Sequence, residues 1–349
     1  MRFTMTKKED ESSIDTKTYK GAEVGSTWNK WDLHVHTPAS VIHSYGTGDE
    51  SQTWEKYLTE LETLPEEIRV LGINDYFILD GYKRLLAEKA DGRLPKIQLL
   101  LPVIELRLSN FAGHSDLRKI NYHIIFSNAL TPNQIENFLL NKLTVDLKLD
   151  DGSNWKGSVG HVDGLIEFGK AIRRATPPEK IGNGSDLELG FAQAAISFES
   201  IQEALKESML ENKFLTAVGL AEWGQMRWDG GSGAIKRDII NKSDFVLTCS
   251  PSLKKYSEQV DKLIKQGVNN KLLDCSDAHF YMDSLQPNKL GSVLSWLKAD
   301  LTFRGLCRAI QCFDKRVQII NLEDQPSKII RINKSPGKYI RSIEIRKMV

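Results

Sequence analysis

The chain has only four cysteines, Cys249, Cys275, Cys307 and Cys312, and none stands in a CxxC or zinc-finger spacing. A disulfide-stapled scaffold and a closed thiolate zinc site are both excluded. Long apolar runs are missing too; nothing approaches the ~18 residues of a membrane-spanning helix. The opening residues, MRFTMTKKEDESSIDTKTYKG, lack the apolar core of a signal peptide. Neither sign of charge is in excess: 47 Lys and Arg stand against 46 Asp and Glu, a formal +1. That excludes a histone-like polycation but leaves room for a local basic groove. No GxxxxGK[ST] loop occurs, so the chain is not itself a P-loop ATPase. There is no internal repeat. What these absences leave is a reduced, cytoplasmic α/β protein with no membrane partner.

What is present is enough apolar material for a large core: 40% hydrophobic residues over 349 positions. At ~150 residues per domain the length suggests about two, but single α/β barrels reach ~250. Residues 1–27, rich in Lys, Glu, Ser and Thr, read as a flexible leader. Strand-like runs follow at 31–36, 68–73, 97–108, 120–126, 215–221, 245–249 and 272–275. Helical patterns lie between them at 54–64, 82–89, 132–140, 201–210 and 252–265. This alternation predicts βα units and a largely parallel sheet or barrel over 28–314. Three breaker-rich patches, DLKLDDGSN, RRATPPEK and IGNGSDLELG, mark an irregular insertion over about 145–190 with one helix, 162–172. From Lys315 onward nine Lys or Arg face three acidic residues, and KYIRSIEIRKMV reads as a half-exposed strand.

Chemistry concentrates in the histidines and a few carboxylates. In Asp32-Leu33-His34-Val35-His36 strand alternation puts Asp32, His34 and His36 on one face, where two imidazoles can grip a metal ion. Alternatively, the histidines merely cap a strand. Asp277 and His279 sit two apart after the run 272–275, where a barrel strand opens into a loop; Asp277 can equally be a turn residue. Glu105 and His123 fall inside apolar strands. A buried glutamate there is costly unless it is paired or ligates a cation, whereas a lone histidine is commonly satisfied by hydrogen bonds. Arg107, on the face of Glu105, can pair with a carboxylate or hold a phosphate. A His, Asp and Glu set without thiolates suits Zn, Mn or Fe, and a shared carboxylate suits more than one ion. Trp223, Trp228 and Arg227 beside Gly230, Gly231 and Gly233 can stack single-stranded bases or simply pack.

The ordered motifs WDLHVHTPAS (31–40), LGINDY (71–76), PVIELRL (102–108), NYHIIFS (121–127) and DCSDAH (274–279) resemble those of the PHP (polymerase and histidinol phosphatase) family. The wider wording, GSTWNKWDLHVHTPAS with LGINDYFILDGYK and ELRLSN, is similar to the PHP part of TrlF-type proteins, which join it to an SMC- or ABC-like ATPase. The resemblance implies a distorted (β/α)7 barrel with one to three divalent ions (Mn, Zn or Fe). His34, His36, Glu105 and Asp277 would hold the first ion, Glu105 and His123 the second, His43 and His279 the third. It implies a phosphoesterase, foremost a nuclease on DNA or RNA, in which Arg107 orients a phosphoryl oxygen and Asp75 or His279 relays a proton. A role in DNA repair or anti-phage defence, with an ATPase fused or separate, follows from the same resemblance. The tail then resembles the first strand of that ATPase. Two departures stand out: Asp75-Tyr76 replaces a family histidine, and no His-Pro pair follows His123, leaving His161 as the one histidine there before the late motif. A small-molecule phosphatase and a degraded, non-catalytic scaffold that binds nucleic acid or an ATPase remain the alternatives.

Overall fold

The structure, a computed structural model, describes residues 27–46, 48–112, 118–149, 152–219, 228 and 231–335. The expected leader up to residue 26, Trp223, Arg227, Gly230 and the strand expected in KYIRSIEIRKMV lie outside these residues.

The strands are β1 (Thr27–Val35), β2 (Ile68–Tyr76), β3 (Leu99–Ala112), β4 (Arg118–Phe126), β5 (Thr144–Lys148), β6 (Asn154–Ser158), β7 (Phe214–Val218), β8 (Phe245–Thr248), β9 (Leu272–Asp274), β10 (Ser295–Ala299) and β11 (Val317–Ile319). Nine of them form one sheet in the order β11-β10-β1-β2-β3-β4-β7-β8-β9. The sheet curls until the chain after β9 meets β1 again: Val35 bridges Ala278, and His36 N donates to Ala278 O at 3.1 Å. The result is a nearly closed, barrel-shaped α/β fold. All seven strands expected from the sequence are present. One runs against the expected direction: β4 is antiparallel to both β3 and β7. Its link to β3 is only residues 113–117, too short for the helical crossover that a parallel pair requires.

The two faces of the sheet are occupied differently. Outside pack α1 (Glu50–Thr63), α2 (Asp80–Ala90), α3 (Pro132–Phe138), α4 (Val162–Arg174) and α6 (Phe198–Ala204), through residues such as Trp54, Leu85, Ile135, Phe168 and Ile201. Inside lies a second apolar cluster to which every strand of the large sheet contributes, including Trp31, Leu33, Val70, Leu101, Val103, Ile125, Ala217, Leu247 and Leu273. A late helix, Phe303–Gln311, closes its lower end with Phe303, Leu306, Ala309 and Ile310. That helix and the antiparallel pair β10–β11 are elements that the sequence pattern does not announce. The insertion holds more order than expected: the hairpin β5–β6, the helix α4 and a further helix α5 (Asp186–Gln193). Among the described residues no helix is long and apolar enough to cross a membrane.

Candidate metal centre

The polar site sits one layer above the inner apolar cluster, and strand alternation explains why. On β3, Leu101 and Val103 face inward, so Glu105 does too; its register partner on β4 is His123, two residues from the inward Ile125. On β2 the inward series Val70, Gly72 arrives at Asn74. After β9, Leu273 and Cys275 lead to Asp277, whose left-handed backbone (φ 48°) is tolerated by aspartate better than by most residues.

β1 breaks the alternation. Asp32 pairs with Leu71 but Val35 with Ile73, so β1 carries one residue more than β2 over this stretch. Across that bulge Leu33 joins the inner apolar layer, His34 the polar layer directly above it, and Val35 the outer core. The expectation that Asp32, His34 and His36 share a face is therefore corrected. Asp32 Oδ1 accepts instead from Ser276 N at 3.0 Å and His34 N at 3.4 Å, tying the bulge to the chain after β9.

The donors converge on two atoms. His34 Nε2 lies 3.1 Å from Glu105 Oε2 and 3.0 Å from Asp277 Oδ1. His36 Nε2 is 3.4 Å from Glu105 Oε2 and 3.7 Å from Asp277 Oδ1, and His123 Nε2 is 3.4 Å from Glu105 Oε2. Two overlapping groups have the spacing to hold an ion, His34–His36–Asp277 and His34–Glu105–His123. His279 stacks on His36 at 4.0 Å with Nε2 3.5 Å from Asp277 Oδ1, outside both groups. His43 also lies outside them; its Nδ1 accepts from Tyr45 N at 3.3 Å. His161 is an exposed N-cap, its Nδ1 accepting from Gly164 N at the start of α4.

The loop after β1 is held atom by atom. Both carboxylate oxygens of Asp75 are engaged by Thr37, whose N donates at 3.0 Å and Oγ1 at 2.9 Å. This position makes Asp75 a clamp on the histidine loop. Tyr45 and Tyr57 each donate a hydroxyl to His36 O at 3.0 Å. Ser40 Oγ sits 3.2 Å from His36 Nδ1, leaving Nε2 for the centre. Asn74, which sequence reasoning missed, donates from Nδ2 to Glu105 Oε2 at 2.6 Å. An asparagine inside the apolar run of β2 carries the same signal as Glu105 in β3. Arg107 packs beside Tyr76, its guanidinium 3.9 Å from the Phe191 ring and 5.1 Å from the Tyr76 ring. A cavity of ≈270 Å³ opens over the site, lined by His34, Tyr76, Glu105, Asn121, His123 and Asp277 among others. Cys249 lines it too, but burial pushes its thiol well up and Sγ donates to Ser276 O, so it brings no thiolate.

Charge is arranged to suit a cation. Burial would raise Glu105, yet His123 and His34 hold its carboxyl well below the usual range. Asp277 is likewise lowered against the effect of burial, chiefly by His34. His36 is pushed down to about 3 by burial and by His279, so it is the neutral imidazole a metal needs. The plainest fit is His123: wholly buried, it makes no hydrogen bond through either ring nitrogen among the described residues. Its Nε2 faces the Glu105 carboxylate at 3.4 Å without hydrogen-bond geometry, which leaves room for an ion between them, and a donor set of His and carboxylate suits a divalent Zn, Mn or Fe ion.

His34 gives this fit a pH signature. Burial would lower it, but Asp277 and Glu105 raise it to about 9, so the metal-free centre holds a proton there. That pairing stabilises the metal-free fold fully below the ordinary value of about 6.5 and is lost as pH rises through about 9. A divalent ion must displace the proton. Metal affinity should therefore climb about tenfold per pH unit between about 6.5 and 9, with about one proton released per ion. Calorimetry in buffers of differing ionisation enthalpy reads this directly; pH-independent binding would show that His34 is no ligand.

No protein-family model matches the chain, and no curated protein matches it in sequence. Fold and donors define a barrel-like α/β protein with clusters of His, Glu and Asp that could hold a metal ion.

Proposed function

We propose that the protein is a metal-dependent phosphoesterase of the PHP type, and within that class a nuclease hydrolysing phosphodiester bonds in DNA or RNA. One observation carries the reading: two three-residue donor groups share His34 at the floor of an open cleft, with Glu105 Oε2 central among three imidazoles. His34 Nε2 can serve only one ion, but a carboxylate central among several imidazoles, as Glu105 is, suits more than one, and two ions suit in-line displacement at phosphorus. The nearly closed sheet is read as a distorted (β/α)7 barrel, with β4 reversed and β10–β11 added at its edge.

His34, His36, Glu105, His123 and Asp277 would hold one or two ions, with His279 and His43 beside them for a third. Divalent ions there supply Lewis-acid polarisation of a phosphoryl oxygen and activation of water. The chain's own residues do the rest. Asn74 fixes the Glu105 carboxylate, Ser40 and the tyrosine hydroxyls fix His36, and Arg107, two residues along β3 from Glu105, is the cation that would meet phosphate oxygens of the substrate. Where no third ion is held, His279, 3.5 Å from Asp277, would pass a proton to the leaving group. An SMC- or ABC-like ATPase as partner, and work in DNA repair or anti-phage defence, are supported by the motif resemblance and by the basic sequence from Lys315 onward.

The test incubates protein with Mn²⁺ and labelled single-stranded DNA, duplex DNA or structured RNA, with His34→Ala/His36→Ala alongside. Cleavage by the wild type and none by the double variant is expected on a denaturing gel. Cleavage by neither, with no metal retained, would point to the non-catalytic scaffold; hydrolysis of small phosphomonoesters alone would point to the phosphatase.

A further inference from the structure

We propose that Arg107 and Lys119 form a cationic track that holds the backbone phosphates of a polynucleotide next to the one in the metal centre; this rests on the phosphoesterase reading of that centre. Glu105 and His123 are register partners across β3 and β4, and the next pair outward on that face is Arg107 with Asn121. Arg107 is two residues beyond Glu105, roughly 7 Å along the strand, and Lys119 four residues beyond His123, roughly 13 Å. Both cations thus lie on the strand pair beyond the metal layer, Arg107 on β3 and Lys119 on β4, on either side of the register shift between Arg107 and Phe111. A monoester has nothing to place there; a polymer does.

Both side chains are held but not neutralised. The Arg107 guanidinium packs against the rings of Phe191 and Tyr76, and Nη1 reaches Phe191 O at 3.5 Å. Lys119 Nζ donates to Ala192 O at 2.8 Å and Ala194 O at 3.2 Å. These carbonyls lie at the C-terminal end of α5, so the insertion is what positions both cations. Neither pairs with a carboxylate within 4 Å among the described residues, whereas Lys83, Arg93 and Arg173 each do. Burial chiefly, and then the Arg107 charge, push the Lys119 amine down to about 8, so the two cations feel one another. A guanidinium fixed by ring contacts keeps free N–H groups aimed outward, suited to a phosphate. Packing at the end of α5 accounts for the carbonyl contacts; it does not account for two cations without a carboxylate partner among the described residues on the strand pair that carries Glu105 and His123.

The track is tested by fluorescence anisotropy with a labelled ten-nucleotide oligothymidylate in EDTA, which stops hydrolysis, over a range of salt. Lys119→Gln is expected to weaken binding about tenfold and to reduce the slope of log affinity against log salt by about 0.7, the contribution of one phosphate contact on a single strand. Lys119→Arg restores both, and Arg107→Gln repeats the loss. A purely structural role would lower affinity without moving the slope. Unchanged slope and affinity in both glutamine variants, or no binding by the wild type, would overturn the track. Binding that depends on Lys119 without any cleavage in Mn²⁺ would sink the nuclease reading and leave the track standing. Cleavage of polynucleotide with unchanged slopes would do the reverse.

Discussion

Glu105→Gln is expected to empty the metal centre. The Oε2 atom of Glu105 lies 3.1 Å from His34 Nε2 and 3.4 Å from the Nε2 atoms of both His36 and His123. Among the described residues no other carboxylate oxygen is so placed, since Asp277 Oδ1 approaches His34 and His36 but is not grouped with His123. Glutamine keeps the volume and one acceptor, so the barrel need not repack, but it removes the charge that offsets a divalent ion. Loss of a supporting hydrogen bond to a ligand costs roughly 10–100-fold in metal affinity, and loss of the shared ligand should cost more. Elemental analysis should therefore find well under one ion per chain in the variant against at least one in the wild type. Metal-free protein should also lose stability, because Glu105 helps hold the proton on His34; breaking a buried pair costs about 3–5 kcal/mol at most. A variant that keeps its full complement of ions would show that Asp277 and the histidines suffice.

Much of this centre is legible in the amino-acid sequence. His34, His36, Glu105, His123 and Asp277 stand at strand-like positions, and the fold brings all five together. The reason is physical: histidine and carboxylate inside apolar strands are expensive to bury, so their presence there points to a shared partner. The seven strands are legible for a related reason, since each is a short apolar run bounded by turn residues. What is not legible depends on contacts between distant segments. The antiparallel β4 follows from pairing on both sides, and the apolar pattern of its sequence, RKINYHIIF, carries no direction. β10 and β11 are short and pair antiparallel at the edge beside β1, where no periodicity distinguishes them from loops. Asp75 looks free for chemistry in the sequence because Thr37, which occupies both its oxygens, is 38 residues away in the chain. The fate of Asp32 turns on a single extra residue in β1, which alternation alone cannot reveal.

That extra residue leads to the second large effect. Gly72 lies on β2 between Leu71 and Ile73, the two residues that register with Asp32 and Val35 across the bulge. A Cβ at Gly72 would fall 2.7 Å from Leu33 O, 2.8 Å from Leu33 Cα and 2.9 Å from Leu33 C. All three are backbone atoms of β1, so no side chain can swing aside; the strands must part. Gly72→Ala is therefore expected to cost about 3 kcal/mol, the upper part of the range for overpacking. Its effect should not stop at stability. His34 follows Leu33 directly, and His36 two residues later, so moving the Leu33 backbone moves two donors off Glu105 Oε2. Metal affinity should fall along with the urea midpoint, although residue 72 touches no ligand. Gly48→Ala is the control, because a Cβ there meets nothing within 4 Å, and it should leave both readings unchanged. If Gly72→Ala proved destabilised yet bound metal as tightly as the wild type, the bulge would be a packing feature alone. Loss of both together would mean that the close approach of β1 and β2 is what delivers two consecutive inward residues, Leu33 to the core and His34 to the metal.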